Sequence, residues 1–364
     1  VLDLSSNKIS DIQPSTSLRN LRSLKLSNNR LSRLDVSSFP SLTLLYLDKN
    51  HLSAVSGLDK CYHLEVLSIR EQTSPEHGPQ GSVLDIDLGL MKDVRKVFLS
   101  SNKLSPRTLS PSAPVLSMQL LDIASCALHS LPTDFASNFP NLRVLNLNFN
   151  ALADVGELVG IKCLSRLALV GNRISRLRRL CQVLSRLSAG SKGNSGTLKR
   201  VDLRGNPLTV GFYPPAVSGS GRSDHKAREL KAKEGTSKRD EDGGETMATA
   251  LASIGGCADI ARTVPRENDD SGDVKQDVEI DDPYVLPPAD AEADKKYLSR
   301  LDESTKLRRR VVELMLYVGT GGTLKVLDGL EFRPALGDEG TDMEHAWSKL
   351  EELGVLKKRD MATS

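Results

Sequence analysis

Along the first two hundred residues the apolar positions follow neither a helical period nor a simple alternation. They recur as a compound figure, LxxLxLxxNxL, in which an apolar–x–apolar pair is followed at fixed distance by Asn. LRNLRSLKLSNNRL (18–31) carries it with Leu21, Leu24, Leu26, Asn29 and Leu31. SLTLLYLDKNHL (41–52) carries it with Leu42, Leu45, Leu47, Asn50 and Leu52. HLEVLSIREQ (63–72) follows, with Gln72 in the Asn place, and then DVRKVFLSSNKL (93–104). MQLLDIASCAL (118–128) puts Cys126 in that place. NLRVLNLNFNAL (141–152), CLSRLALVGNRI (163–174) and LKRVDLRGNPL (198–208) complete the series. VLDLSSNKI at the start reads as the back half of a copy that begins upstream, so an array truncated at its N-terminus is expected.

Self-similarity at a spacing near 22 residues is the signature of leucine-rich repeats. The LxL pair predicts a short strand with both leucines inward and the residue between them outward. Strands of successive coils pair in parallel, because no coil can bury its leucines alone. The Asn is expected to hydrogen-bond backbone groups in the turn that leaves the strand. Cys126 can stand there as a small residue with a weak S–H donor. Gln72 carries an extra methylene, and a distorted turn is expected after it. The fold predicted is an α/β solenoid: a leucine-rich-repeat horseshoe with a parallel concave sheet, short convex helices or turns, and a C-terminal cap of helix plus strand.

The pattern changes at GFYPP (211–215). Phe212 and Tyr213 are expected to fold over the last apolar layer, and Pro214-Pro215 to prevent another strand from pairing. Residues 216–282 are rich in Gly, Ser, Lys, Asp and Glu and read as a disordered polar insert. The chain then re-enters at DPYVLPP (282–288). Residues 293–319 read as one helix ending at Gly319, with Tyr297, Leu301, Val311, Leu314, Met315 and Val318 near one face. LKVLDGLEF (324–332) supplies a last strand. The expected organisation is an array over 1–215, an insert over 216–282, a cap over 283–335 and a partly helical tail over 336–364.

Composition adds exclusions. Aromatics are 4% of the chain, so the core is aliphatic. The formal charge of +2 gives no global nucleic-acid or membrane footprint. Five scattered cysteines without a CxxC pair favour unpaired thiols in a reducing compartment. No apolar run is long enough to span a bilayer.

No catalytic set emerges, and no cofactor or metal is expected. VGTGGTL (318–324) lacks the Gly-Lys-Ser/Thr of a phosphate loop and reads as a helix stop. The six histidines are dispersed, and the carboxylates of EDGGE and ENDD lie in the polar insert. RISRLRRLCQVLSRL (173–187) reads as a convex amphipathic stretch that packs Leu177, Leu180, Leu184 and Leu187, with Arg176, Arg178, Arg179 and Arg186 in solvent.

What remains is a surface. One outward column runs Lys25, Tyr46, Ser68, Phe98, Asp122, Asn146, Ala168, Asp202, and the next Ser27, Asp48, Arg70, Ser100, Ala124, Asn148, Val170, Arg204. Aromatics and Arg on an exposed sheet are common binding hot spots. The candidate protein-binding residues are Tyr46, Asp48, Ser68, Arg70, Glu71, Phe98, Asn146 and Asn148. Three Ser-Pro serines, Ser74, Ser105 and Ser110, are candidate phosphorylation sites, although Ser-Pro is also ordinary turn sequence.

LSIREQ (67–72), LRGNPLTVGFYPP (203–215), YLSRLDESTKLRRRVVELML (297–316) and LKVLDGLEF together carry a resemblance over nearly the whole chain. They resemble the leucine-rich C-terminal domain of the fungal spindle-pole-body scaffolds of the septation-initiation and mitotic-exit networks, related to animal centriolin. The resemblance implies a non-enzymatic scaffold in the cytoplasm, on the cytoskeleton at the spindle pole body. Its implied partners are proteins: a spindle-pole anchor, GTPase regulators and mitotic kinases, with no direct nucleic acid or membrane. Arg70, Glu71 and Gln72 match its motif. Rival readings are a repeat-bearing phosphatase regulatory subunit, an RNA-associated adaptor of the spliceosomal A-prime type, or an enzyme with a catalytic domain upstream.

Overall fold

The computed structural model describes residues 1–13, 16–73, 83–189, 197–214, 284–332 and 339–354. One compact unit holds Val1–Tyr213 together with Tyr284–Ser364. The polar insert 216–282, Ser74 and residues 336–338 and 355–364 of the tail lie outside the described residues.

The unit is built on an eleven-stranded sheet. Its parallel strands are Leu2–Asp3, Ser23–Lys25, Leu44–Tyr46, Val66–Ser68, Lys96–Phe98, Leu120–Asp122, Val144–Asn146, Arg166–Ala168, Arg200–Asp202 and Val326–Leu327. The LxL positions set this register. Leu24, Leu45, Leu67, Val97, Leu121, Leu145, Leu167 and Val201 lie side by side and are buried. Leu26, Leu47, Ile69, Leu99, Ile123, Leu147, Leu169 and Leu203 form a second buried layer. Among the described residues the convex side is made of short turns of helix, two small strand pairs and one full helix, Leu177–Ser188. That helix exists because its coil is longer, with 34 residues from Leu167 to Val201, and it buries Leu180, Val183, Leu184 and Leu187 at helical spacing.

Polar groups in the turns are satisfied by the Asn ladder. Asn50 donates to the carbonyls of Leu26 at 2.9 Å and Leu47 at 3.0 Å, and accepts from the Leu31 N–H at 3.1 Å. Gln72 does the same: it donates to Leu47 at 3.0 Å and Arg70 at 2.8 Å and accepts from Leu52 at 3.0 Å. The stretch after Gln72 in which a distorted turn is expected lies, from Ser74 on, outside the described residues. Glu71 has the same left-handed φ (52°) as Lys49, Ser101, Ser125 and Phe149 in other coils. The extra methylene is taken up by the side chain's own reach. Cys126 donates its S–H to the Leu99 and Ala124 carbonyls, and burial pushes its thiol up to about 12, which keeps that proton in place.

The cap differs from the expectation in three details. First, the segment read as one helix is two, Ala291–Arg300 and Glu303–Gly319. Asp302 breaks it by capping the second helix, accepting from the Thr305 N–H at 2.9 Å. The Ser304 hydroxyl and the Thr305 N–H hold the Asp302 carboxyl well below its usual range. Second, Val318 is 52% exposed, because the last turn carries it past the buried face. Third, LKVLDGLEF is a hairpin: Val326–Leu327 pairs in parallel with Arg200–Asp202, and Leu330–Glu331 turns back antiparallel.

Phe212 is buried under this cap. The Tyr213 hydroxyl donates to Asp328, whose other oxygen accepts from the Leu203 N–H. Arg309, 6% exposed, forks onto Asp294 at 2.9 and 2.8 Å, donates to Glu313 at 2.9 Å and to the Phe212 carbonyl at 3.0 Å, and lies 4.6 Å from the Tyr213 ring centre. A last helix, Glu339–Glu352, sets Ala346 and Leu350 against Val311.

Candidate protein-binding face

The sheet register places Lys25, Tyr46, Ser68, Phe98, Asp122, Asn146, Ala168 and Asp202 in one column. Their side chains alternate with the buried leucines, so they share the outward face. Tyr46 is half-buried, and burial, with Asp48 close by, pushes its phenol up. Asp48 accepts from the Ser68 hydroxyl at 2.6 Å and the Arg70 N–H at 2.8 Å. Burial still raises its carboxyl. Ser68 is buried by this bond.

Arg70 is turned inward. Its guanidinium meets Asp122 at 3.1 Å and stacks 4.6 Å from the Phe98 ring centre. Its side chain is 15% exposed and that of Asp122 is 2% exposed. Glu71 faces Lys49 at 3.9 Å.

The group is completed by a residue that repeat periodicity could not place. Tyr284, the first described residue after the insert, returns across this face. Its carbonyl accepts from Asn146 at 3.2 Å and Asn148 at 2.8 Å. Its ring centre lies 5.6 Å from the Arg70 guanidinium, and its hydroxyl reaches Ser101 and Glu71. Burial pushes the phenol up. Further on, the Pro287 carbonyl accepts from Arg204 at 3.1 Å, while Arg204 also forks onto Asp202 at 2.6 to 3.2 Å. Residues 284–289 are therefore a strap over the concave side of the later coils.

Arg70, Glu71, Asn146 and Asn148 thus meet at Tyr284, with Phe98 under the Arg70 guanidinium, while Tyr46 and Asp48 lie toward the earlier coils. Asp122 and Tyr284 were missed. Asp122 stood in the outward column as the only carboxylate between Phe98 and Asn146, and Tyr284 is the one ring in DPYVLPP. Ser105 is 8% exposed and donates to Asp85. Ser110 is half-buried and donates to Asp134 at 3.0 Å. No described helix is long and apolar enough to cross a membrane.

Residues 1–52 and 117–174 match the family model of the leucine rich repeat. The septation initiation network scaffold protein cdc11 of Schizosaccharomyces pombe is 35% identical over 182 residues, 50% of this chain and 16% of that protein. Tsukushi of Gallus gallus is 31% identical over 182 residues, 47% of this chain and 47% of that protein. The chain thus spans less than half the length of each of these curated relatives. The crystal structure of the TLR13–ssRNA13 complex aligns at 22% identity with a TM-score of 0.40, over 50% of this chain and 25% of that one. The coils described above are leucine-rich repeats, in a chain similar over half its length to a septation initiation network scaffold.

Proposed function

We propose that this chain is the leucine-rich-repeat part of a non-enzymatic scaffold of the septation-initiation and mitotic-exit networks at the spindle pole body. There it holds GTPase regulators and mitotic kinases. The observation that carries this reading is the 35% identity over 182 residues to a protein named as a scaffold of that network. The geometry is compatible with it: the sheet offers a polar outward face, with Tyr46 and Asp48 on the coils before the strap. Partner contacts are assigned to that earlier part of the face, because Arg70, Asn146 and Asn148 already contact the chain's own Tyr284.

The test is the position of the tagged full-length protein in dividing cells, imaged beside a spindle-pole marker. Foci that coincide with the poles through mitosis are expected. A diffuse or nuclear-speckle signal would reject the assignment and move the phosphatase-subunit or RNA-adaptor readings ahead.

A further inference from the structure

The residue that precedes each strand forms another column, at the N-terminal edge of the sheet. From Arg95 it runs through Gln119, Arg143, Ser165 and Lys199 to Lys325, each N–H bonded to the preceding carbonyl at 2.8 or 2.9 Å. The first strand positions beside it add Lys96, Arg166 and Arg200. Neither column contains Asp or Glu from Arg95 onward. Glu331 stands at the far end, opposite Val326 on the returning hairpin strand.

This edge differs from the rest of the sheet in how its charges are matched. On the strap side, Arg70 has Asp122 and Arg204 has Asp202. On this edge, Arg95, Lys96, Arg143, Lys199, Arg200 and Lys325 are exposed and form no ion pair among the described residues. Neighbouring strands are about 4.8 Å apart. Lys199 and Lys325, side by side, are like charges in adjacent coils, an arrangement that is destabilising unless a counter-charge joins it.

A recess of about 460 Å³ opens in this edge between Arg95 and Arg143. Gln119, Asn141 and Ser117 line it, and the exposed Cys163 stands at its side. The Asn141 amide is fixed on the Leu116 carbonyl at 2.7 Å and the Ser117 hydroxyl on the Val94 carbonyl at 2.8 Å, so the walls are held. The two guanidinium groups remain as forked donors, the geometry that suits a phosphate. Leu116, also on the lining, is 62% exposed and gives the recess an apolar flank.

We infer that this edge is a docking site for a phosphorylated, acidic segment of a partner protein. One phosphoserine or phosphothreonine sits between Arg95 and Arg143, an apolar neighbour lies on Leu116, and further acidic residues run along Lys199, Arg200 and Lys325. A nucleic acid fits less well, because neither column carries a ring on which bases could stack. The inference rests on the protein-binding reading above and is independent of the network assignment.

The experiment uses the full chain and a fluorescent peptide of Glu, phosphoserine and Leu, with its serine counterpart as reference. Anisotropy should show the phosphopeptide bound at least about tenfold more tightly, and more weakly as salt rises. Arg95→Glu/Arg143→Glu should lose about tenfold or more, while Arg178→Glu/Arg186→Glu, the same charge change on the convex helix, should stay within about twofold. Should the first variant melt early, Arg95→Gln/Arg143→Gln replaces it. Alkylation of Cys163, followed by the mass of its peptide, should slow when the phosphopeptide is bound. Equal binding of both peptides, or equal loss in both double variants, overturns the site. So does equal, variant-sensitive binding of a single-stranded oligonucleotide or of phosphatidylserine vesicles. Peptide binding that appears only after deletion of residues 267–282 would also overturn it, because the chain's own acidic run would then be the occupant. Pole localisation of the unaltered protein is read separately, so the two readings fail separately.

Discussion

Arg309 offers the sharpest test of how the solenoid is closed. The residue is 6% exposed, and its guanidinium donors meet Asp294, Glu313 and the Phe212 carbonyl, with the Tyr213 ring on one side. Arg309→Met keeps much of the side-chain volume and removes the charge. It leaves Asp294, also 6% exposed, as a buried carboxylate with neither of its two guanidinium bonds. Breaking a buried pair on one side costs about 3–5 kcal/mol. The Phe212 carbonyl loses its donor as well, which lies within that range rather than adding to it. Removing both charges is a different case, since well-packed apolar replacements of a buried pair are often neutral. Arg309→Met/Asp294→Leu should therefore recover most of the loss. Urea unfolding of the full chain gives the totals. Amide exchange over 207–213 and 291–316 shows whether the loss sits in the cap, as nearest-neighbour stacking requires. A single variant that costs under about 1 kcal/mol, or a double variant as damaged as the single, would refute the view that the pair is a neutralised, buried lock.

Gln72→Ala should cost about 1–3 kcal/mol, the same as Asn50→Ala, because each leaves one buried turn N–H without its acceptor; chemical denaturation of both variants checks the equivalence. Asp328 is fully buried, and burial with Asp202 nearby raises its carboxyl from 3.8 to about 7. The folded state therefore holds the proton more tightly than the unfolded chain, and this group's contribution to stability falls as pH rises from about 4 to about 7. Asp328→Asn should flatten that slope, read as melting temperature across the window. Tyr284→Ala removes the ring from Arg70 and the hydroxyl from Ser101 and Glu71 while leaving the backbone carbonyl to Asn146 and Asn148. Proteolysis and exchange at 284–289 should quicken while the melting of the repeats holds; an unchanged exchange rate would show that the ring does not fasten the strap.

The repeats were legible because a single period sets them. Leu45 and Leu67 lie inward and Tyr46 and Ser68 outward for the same steric reason in every coil, so the columns follow from counting. The spacing marks Gln72 as a departure from the Asn ladder but does not report that its longer side chain's amide still reaches the Leu47 carbonyl and the Leu52 N–H. The two-helix cap was hidden for another reason. DEST at 302–305 does carry a helix-start signal, but its weight comes from Asp294 meeting Arg309, a pairing across fifteen residues that needs the break. The strap was the least legible part. Tyr284 bonds residues 136 and 138 positions earlier, and no local pattern reports a contact of that span. The basic edge had the opposite problem: each Arg or Lys looks like ordinary solvated surface until the register sets them in a line.

The return of the chain to pair Val326–Leu327 with Arg200–Asp202 has a consequence in time. A ribosome adds about 5–20 residues per second, so the earlier coils can assemble as they emerge. The strand at Arg200–Asp202 must then wait for the 123 residues between Asp202 and Val326 to be made. For roughly 6 to 25 seconds it presents an open parallel edge, which is the kind of template that recruits other nascent chains. Newly made protein is thus most exposed to association during synthesis, and the finished molecule has this edge sealed by its own last strands.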